Sequence, residues 1–282
     1  MNYPDFWVIL TGILAAGSCG LIGSFLVLRN NAMLGDAISH AVLPGLVLAF
    51  LITYSRGVVP MLIGAGLMGL LTAFLTEWLG NTGRLYKDAA LCIVFTLLFS
   101  IGVILVSIYT SQVDLDQECV LYGEIAYTPW DILVIGGTDY GPRAVWILGG
   151  IFLANILFIT LFFKQLKISS FDPALATSLG ISERLWHYLL MTMVSLTVVA
   201  AFESVGAILV VAMLIIPGAT AFLLTRKLVM MLVLSVIIGT ICAVGGFYGA
   251  SYFNASIAGF MAVVGGIVFA GSVFISKAFK LS

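Results

Sequence analysis

Charge is what this sequence has least of. Asp, Glu, Lys and Arg make up 9% of its 282 residues and leave a net charge of −1. A soluble domain carries about 25% charged residues, and a near-neutral balance removes the electrostatic basis for binding nucleic acid. Histidine occurs twice, as His40 and His187. The HExxH spacing that a membrane metalloprotease would need is absent. The four cysteines form no CxxC pair and imply no disulfide framework. Cys19, Cys92 and Cys242 stand in apolar runs and read as small buried residues; Cys119, in a polar stretch, reads as an ordinary surface thiol. No GxxxxGK[ST] occurs, so any nucleotide that drives this protein is bound by another chain. "GAGLMG" (64–69) fits GxGxxG, but it lies inside an apolar run with no strand before it. It reads instead as small residues that let membrane helices approach closely, as does "GGFYG" (245–249). "MNYPDFW" lacks the basic region of a cleavable signal peptide, and no internal repeat stands out.

What the chain has is oil. Hydrophobic residues make up 62% of it and its mean hydropathy is +1.19. So much apolar surface cannot be hidden inside one domain, so lipid must be part of the solvent. The expectation is an all-α polytopic membrane protein forming one transmembrane domain over 1–282. A span needs roughly 20 mostly apolar residues. Runs of that kind cover about 7–28, 35–54, 58–80, 88–110, 144–163, 186–203, 206–225, 228–250 and 256–276. The stretch from His187 to Leu224 is two spans if the chain turns at "ESVG", or one long or broken helix, giving nine or eight. With the N-terminus outside, nine spans put ten of the twelve basic residues in the cytoplasm and leave Arg56 and Arg143 outside. Losing one span before Arg226 breaks that bias, which favours nine and a cytoplasmic C-terminus.

Asp114, Asp116, Glu118, Glu124, Asp131 and Asp139 fall between the fourth and fifth spans, outside in this reading. They form a solvated loop, a docking surface or a cation funnel. "YGEIAYTPWDIL" within that segment is suited to a short interfacial helix.

Against this background "LGDAISHAVLPG" (34–45) stands out. Asp36 and His40 are one turn apart and share a helix face. A carboxylate in a membrane helix costs roughly 2.5–3.5 kcal/mol, so it points to function. An oxygen and an imidazole nitrogen at that spacing hold one side of a divalent cation, of a hardness suited to Mn²⁺, Fe²⁺ or Zn²⁺. Two ligands are too few, and a twofold dimer would supply two more. The plainer alternative is Asp36 capping a helix start with His40 bonded to a neighbouring helix. Pro44 is expected to kink or break this helix, as at the discontinuous helices of transport sites. Glu203, in "AAFESVGAIL", is either a further ligand or a helix-end carboxylate. His187 reads as interfacial, and Glu77 and Asp88 as partners of Arg84 and Lys87.

"KISSFDPALATSLGISERLWHY" (167–188) is the one long inside loop. Asp172 can cap and Pro173 suits a first helical position; "ALATSLG" is then a short helix closed by Gly180. It is a candidate docking element for a soluble partner.

"GDAISHAVLPG" (35–45), "SFDPALATSLGI" (170–181) and "VGAILVVAMLIIPGATA" (205–221) together resemble the permease subunits of manganese/zinc/iron ABC importers, in order along the whole chain. "DLDQECVLYGEI" and "FESVGAIL" look most like the manganese-type branch. The resemblance implies a core of two permeases, homodimeric or heterodimeric, in a bacterial inner membrane. It also implies two cytoplasmic ATPase subunits and an extracellular metal-binding protein. Asp36 and His40 match the family's metal-pathway residues. The coupling segment, about 168–184, would present Phe171, Asp172, Pro173, Leu175, Leu179 and Gly180 to the ATPase. On this likeness the chain is not an enzyme. It holds no permanent cofactor and passes a divalent metal, Mn²⁺ foremost and Zn²⁺ or Fe²⁺ besides, by alternating access. The rival is a proton-coupled secondary transporter, which would be expected to carry more intramembrane acids; a channel would conduct without coupling.

Overall fold

The structure is a computed structural model, described here over residues 3–54, 58–82, 85–109, 125–135 and 138–279. Arg56, Arg84, Cys119 and the acids at 114, 116, 118 and 124 lie outside the described residues, so most of the acidic segment and "DLDQECVLYGE" do too.

The long apolar runs all become helices: α1 (Tyr3–Leu28), α2 (Met33–Thr53), α3 (Val58–Thr82), α4 (Lys87–Tyr109), α5 (Arg143–Leu161), then the shorter α6 (Phe163–Phe171) and α7 (Pro173–Ser178), followed by α8 (Glu183–Val205), α9 (Ala207–Leu224), α10 (Leu228–Phe253) and α11 (Ile257–Phe279). Nine of these are long and apolar enough to cross a membrane among the described residues. Eighteen residues, the shortest of them, rise about 27 Å, close to the bilayer core. Nine, not eight, is therefore the number found. The division between α8 and α9 is Gly206 alone, at φ +81° and ψ 162°, a backbone that L side chains rarely adopt.

The bundle is built around α1, whose span is 83% buried against 17% for α11. It packs on α5, α8, α9 and α10. Close backbone crossings hold the helices. A Cβ on Gly23 of α1 would fall 1.8 Å from the carbonyl oxygen of Leu214 in α9. A second group places α2 against α3, α4 and α8. The "GAGLMG" glycines sit here, as helix contacts. A Cβ on Gly64 would lie 2.6 Å from the Gly45 carbonyl, and one on Gly69 would lie 2.0 Å from Ser195 Oγ. Without hydrophobic drive in lipid, such small-residue contact is what brings helices together.

Three sequence expectations change. Pro44 does not break α2, which stays helical from Met33 to Thr53; the ring is accommodated against Gly102 of α4, where a Cβ would stand 2.8 Å from Pro44 Cδ. The segment after α5 is not a loop from 167 onward, because α6 continues the helical path past Phe162. "IAYTPW" does form a short helix, a 3-10 turn over Ile125–Trp130. It is followed by an unforeseen antiparallel hairpin, β1 (Ile132–Ile135) and β2 (Thr138–Pro142). The signal was in the sequence, since "ILVI" is β-prone and Gly-Gly follows it. The Trp146 indole donates to the Tyr140 carbonyl at 3.0 Å and ties the hairpin to α5.

Candidate metal site

The site starts with how α1 ends. Asn30 takes φ +54°. Its amide donates to the Val27 carbonyl and the Asn31 amide donates to the Leu26 carbonyl, which is a Schellman closure. The chain reverses, the Leu34 amide returns to the Asn31 carbonyl, and α2 begins at Met33 with Ala32 as N-cap. Asp36 is thus already inside the helix and caps nothing. It stands in the first turn of α2 as its one acidic residue.

Asp36 and His40 point along one face, with His40 Nε2 3.6 Å from Asp36 Oδ1. That gap is too long for a hydrogen bond, and the two side chains keep 34% (His40) and 42% (Asp36) of their surface exposed. The imidazole is held from α4, with its centroid 6.0 Å from the Phe95 ring and 5.9 Å from the Phe99 ring, the latter edge-on. Pro44 removes the amide that would otherwise donate to the His40 carbonyl. An ion bonded at about 2.1–2.2 Å to both atoms would subtend about 110–120° across such a gap. A right-angled octahedral pair needs about 3.0 Å, a closure of about half an ångström within reach of side-chain rotation. No group of three His, Cys, Asp or Glu side chains able to hold a metal forms among the described residues. The pair offers one carboxylate oxygen and one imidazole nitrogen on a partly exposed face of α2.

Glu203 is not brought to that pair. It is exposed in the last turn of α8 and feels the charges of Arg143 and Asp131 near the hairpin. His187 lines a cavity of about 790 Å³ at the other end of the bundle, together with Arg29, Glu77, Lys87, Asp88 and Glu183. Glu77 does not need the expected basic partner, because the Tyr188 hydroxyl donates to it at 2.7 Å.

The coupling-segment residues adopt the geometry their types demand. The Leu175 amide donates to Asp172 Oδ1 at 2.9 Å and Pro173 occupies the first turn. Gly180, at φ +75°, closes α7 as the Ile181 amide reaches the Ala176 carbonyl at 2.9 Å. Phe171, Leu175 and Leu179 are exposed by 57%, 47% and 59%, a set of apolar side chains left uncovered among the described residues.

Sequence reasoning missed Phe95 and Phe99, which read only as apolar. It also missed the guanidinium of Arg29, whose Nε donates to Ser170 Oγ at 3.0 Å and whose Nη2 donates to Ser169 Oγ at 2.8 Å.

Comparison with known proteins bears directly on this arrangement. The sequence model of the ABC 3 transport family matches residues 5–276. "Manganese transport system membrane protein MntD" of Bacillus subtilis (strain 168) is 52% identical over 274 residues, covering 97% of this chain and 92% of that protein. "Zinc transport system membrane protein TroD" of Treponema pallidum (strain Nichols) is 42% identical over 263 residues, covering 93% of this chain and 71% of that protein. Among solved structures, "PsaBC from Streptococcus pneumoniae in complex with Fab" superposes with a TM-score of 0.81 at 33% identity, covering 100% of this chain and 96% of that one.

Proposed function

This chain belongs to the ABC 3 transport family, and from that premise we propose that it is the permease subunit of an ATP-driven importer of divalent transition metals, Mn²⁺ foremost. The observation that carries the reading is the partly exposed Asp36–His40 pair, 3.6 Å apart on one face of a membrane helix. The substrate preference rests on the manganese and zinc transport relatives together with the donor set, one carboxylate and one imidazole, which suits both ions.

Two ligands are too few and call for a second permease, homodimeric or heterodimeric, that faces the exposed side of α2. In this reading the N-terminus is outside and the C-terminus cytoplasmic, in a bacterial inner membrane. An extracellular metal-binding protein docks on the outer face, near the acidic segment 114–139, and releases the ion. Glu203 meets the ion there as an outlying carboxylate, separate from the pair. Asp36 and His40 then replace part of the water shell. Two cytoplasmic ATPases grip α7 through Phe171, Leu175 and Leu179, on a helix whose ends Asp172, Pro173 and Gly180 fix. Their closure on ATP switches the side to which the pair is open. The permease makes and breaks no covalent bond.

The test is Mn²⁺ uptake by the reconstituted complex, with Asp36→Ala and His40→Ala compared across Mn²⁺, Zn²⁺ and Fe²⁺. Loss of uptake in both variants with assembly intact is expected. Uptake at the unmodified rate in both would overturn the site. Uptake that proceeds without any ATPase but follows a proton gradient would favour the secondary-transporter alternative.

A further inference from the structure

One side chain at the end of α1 reaches the residues that lead into α7. Ser169 and Ser170 lie in the last turn of α6, which Phe171 ends, directly before Asp172 and Pro173. Both hydroxyls accept from Arg29, at 2.8 and 3.0 Å. Ser169 is 3% exposed, and its hydroxyl turns its own proton to the Leu166 carbonyl at 3.3 Å, which leaves its lone pairs to the guanidinium. The two nitrogens of one rigid fork therefore hold two successive residues, a geometry that only arginine supplies.

On its other side Arg29 is part of a stiff elbow. The amides of Arg29, Asn30 and Asn31 are bonded back into α1, and those of Leu34 and Gly35 bond forward from Asn31 and Ala32. Only three residues separate Arg29 from Met33, where α2 starts, and Asp36 is one turn further on. Beside the elbow is the cavity of about 790 Å³, lined by Arg29, Asn31, Met33, Ser169, Ser170 and Glu183 among others. Interiors are otherwise close-packed and transmit displacement; open volume here lets the elbow shift without breaking a core. Burial disfavours the charged guanidinium, and the charge of Glu183 opposes that, so the fork stays cationic inside the bundle end.

We propose that Arg29 is a positioning residue of transport: its fork onto Ser169 and Ser170 passes the movement of the coupling segment to α2 and so to the Asp36–His40 pair. The inference rests on the importer reading above. It predicts that breaking the fork uncouples hydrolysis from transport and leaves the metal pair able to bind.

The experiment uses the assembled complex with its ATPases and binding protein. It compares Arg29→Ala, Arg29→Lys, Ser169→Ala with Ser170→Ala, and the triple variant. Three quantities are read: ⁵⁴Mn²⁺ bound without nucleotide, Mn²⁺ imported, and ATP hydrolysed per Mn²⁺ imported. Arg29→Ala is expected to leave binding within about twofold and to raise the ATP-to-Mn²⁺ ratio about tenfold, the scale of losing one charge-assisted contact. The serine pair should do the same, the triple variant no more than Arg29→Ala alone, and Arg29→Lys should recover part of the loss.

An unchanged ratio in the serine variant overturns the proposal, as does additivity of the arginine and serine changes. So does uptake and hydrolysis falling together at constant ratio. The serine variant removes only two hydroxyls, so it remains informative where Arg29→Ala does not assemble. Asp36→Ala, measured in parallel, separates the two claims. If Asp36→Ala still binds and imports Mn²⁺, the metal-site reading fails whatever Arg29 does; if it loses binding while the Arg29 variants keep a normal ratio, only the coupling role fails.

Discussion

Replacing Asp36 by Asn keeps the shape of the side chain and removes its charge, which isolates the one property the metal needs. The structural cost is small. Asp36 caps no helix end, and His40 Nε2 is 3.6 Å away on a partly exposed face, so the fold should change by no more than about 0.5 kcal/mol. The metal cost is large. Residues that merely support a metal ligand are worth about 10–100-fold in affinity, so a direct anionic ligand sets a floor near hundredfold, about 2.8 kcal/mol. In a homodimeric core both copies lose the ligand at once. The loss then approaches 10⁴-fold, about 5.6 kcal/mol, if the two sides act independently. A heterodimer stays near the lower figure. The assay is ⁵⁴Mn²⁺ uptake into proteoliposomes of the assembled transporter, from nanomolar to millimolar Mn²⁺, beside thermal unfolding of the same preparation. A rise in KM of about hundredfold or more with an unmoved Tm is the expected outcome. A KM within about threefold of the unmodified protein, at normal yield, refutes the argument that this carboxylate contacts the ion.

Gly45→Ala places a methyl 2.5 Å from both the Gly64 carbonyl oxygen and Met68 Cγ. It should cost about 1–3 kcal/mol by forcing α2 off α3, seen as a lowered Tm in detergent. Asp172→Ala removes the acceptor for the Leu175 amide and should weaken α7 by about 1 kcal/mol, reducing the stimulation of ATP hydrolysis by Mn²⁺-loaded binding protein. Leu175→Asp acts on a side chain already 47% exposed, so the permease alone should keep its Tm while the ATPase subunits no longer co-purify. Glu203→Gln should leave ⁵⁴Mn²⁺ bound at the pair unchanged, because Glu203 lies with Arg143 and Asp131 and not with His40; a loss of bound Mn²⁺ would bring it into the shell.

Hydropathy set the helices, because lipid leaves a backbone no other way to satisfy its amides. The nine runs, the Asp172–Pro173 start and Gly180 stop of α7, and the Asp36–His40 spacing were all legible for local reasons: length, capping chemistry and the 3.6-residue period. Pro44 was expected to kink or break α2, yet the helix runs through it, and the close approach of its ring to Gly102, 58 residues on, is a tertiary contact. Phe95 and Phe99 looked like any other lipid-facing rings until α4 packed beside α2. The Tyr188 hydroxyl that donates to Glu77 was hidden for the same reason, since it is 111 residues away.

The sequence by itself thus determined which segments enter the membrane and which two polar side chains share a face there, because both follow from periodicity along one helix. The tertiary structure alone decided what surrounds them. That Phe95 and Phe99 flank His40, that Glu203 lies near Arg143 and Asp131, and that Arg29 grips Ser169 and Ser170 across 140 residues of chain are all set by how the elements pack. Helix contacts in lipid are chosen by close packing of small residues, a three-dimensional match that no stretch of the chain encodes locally.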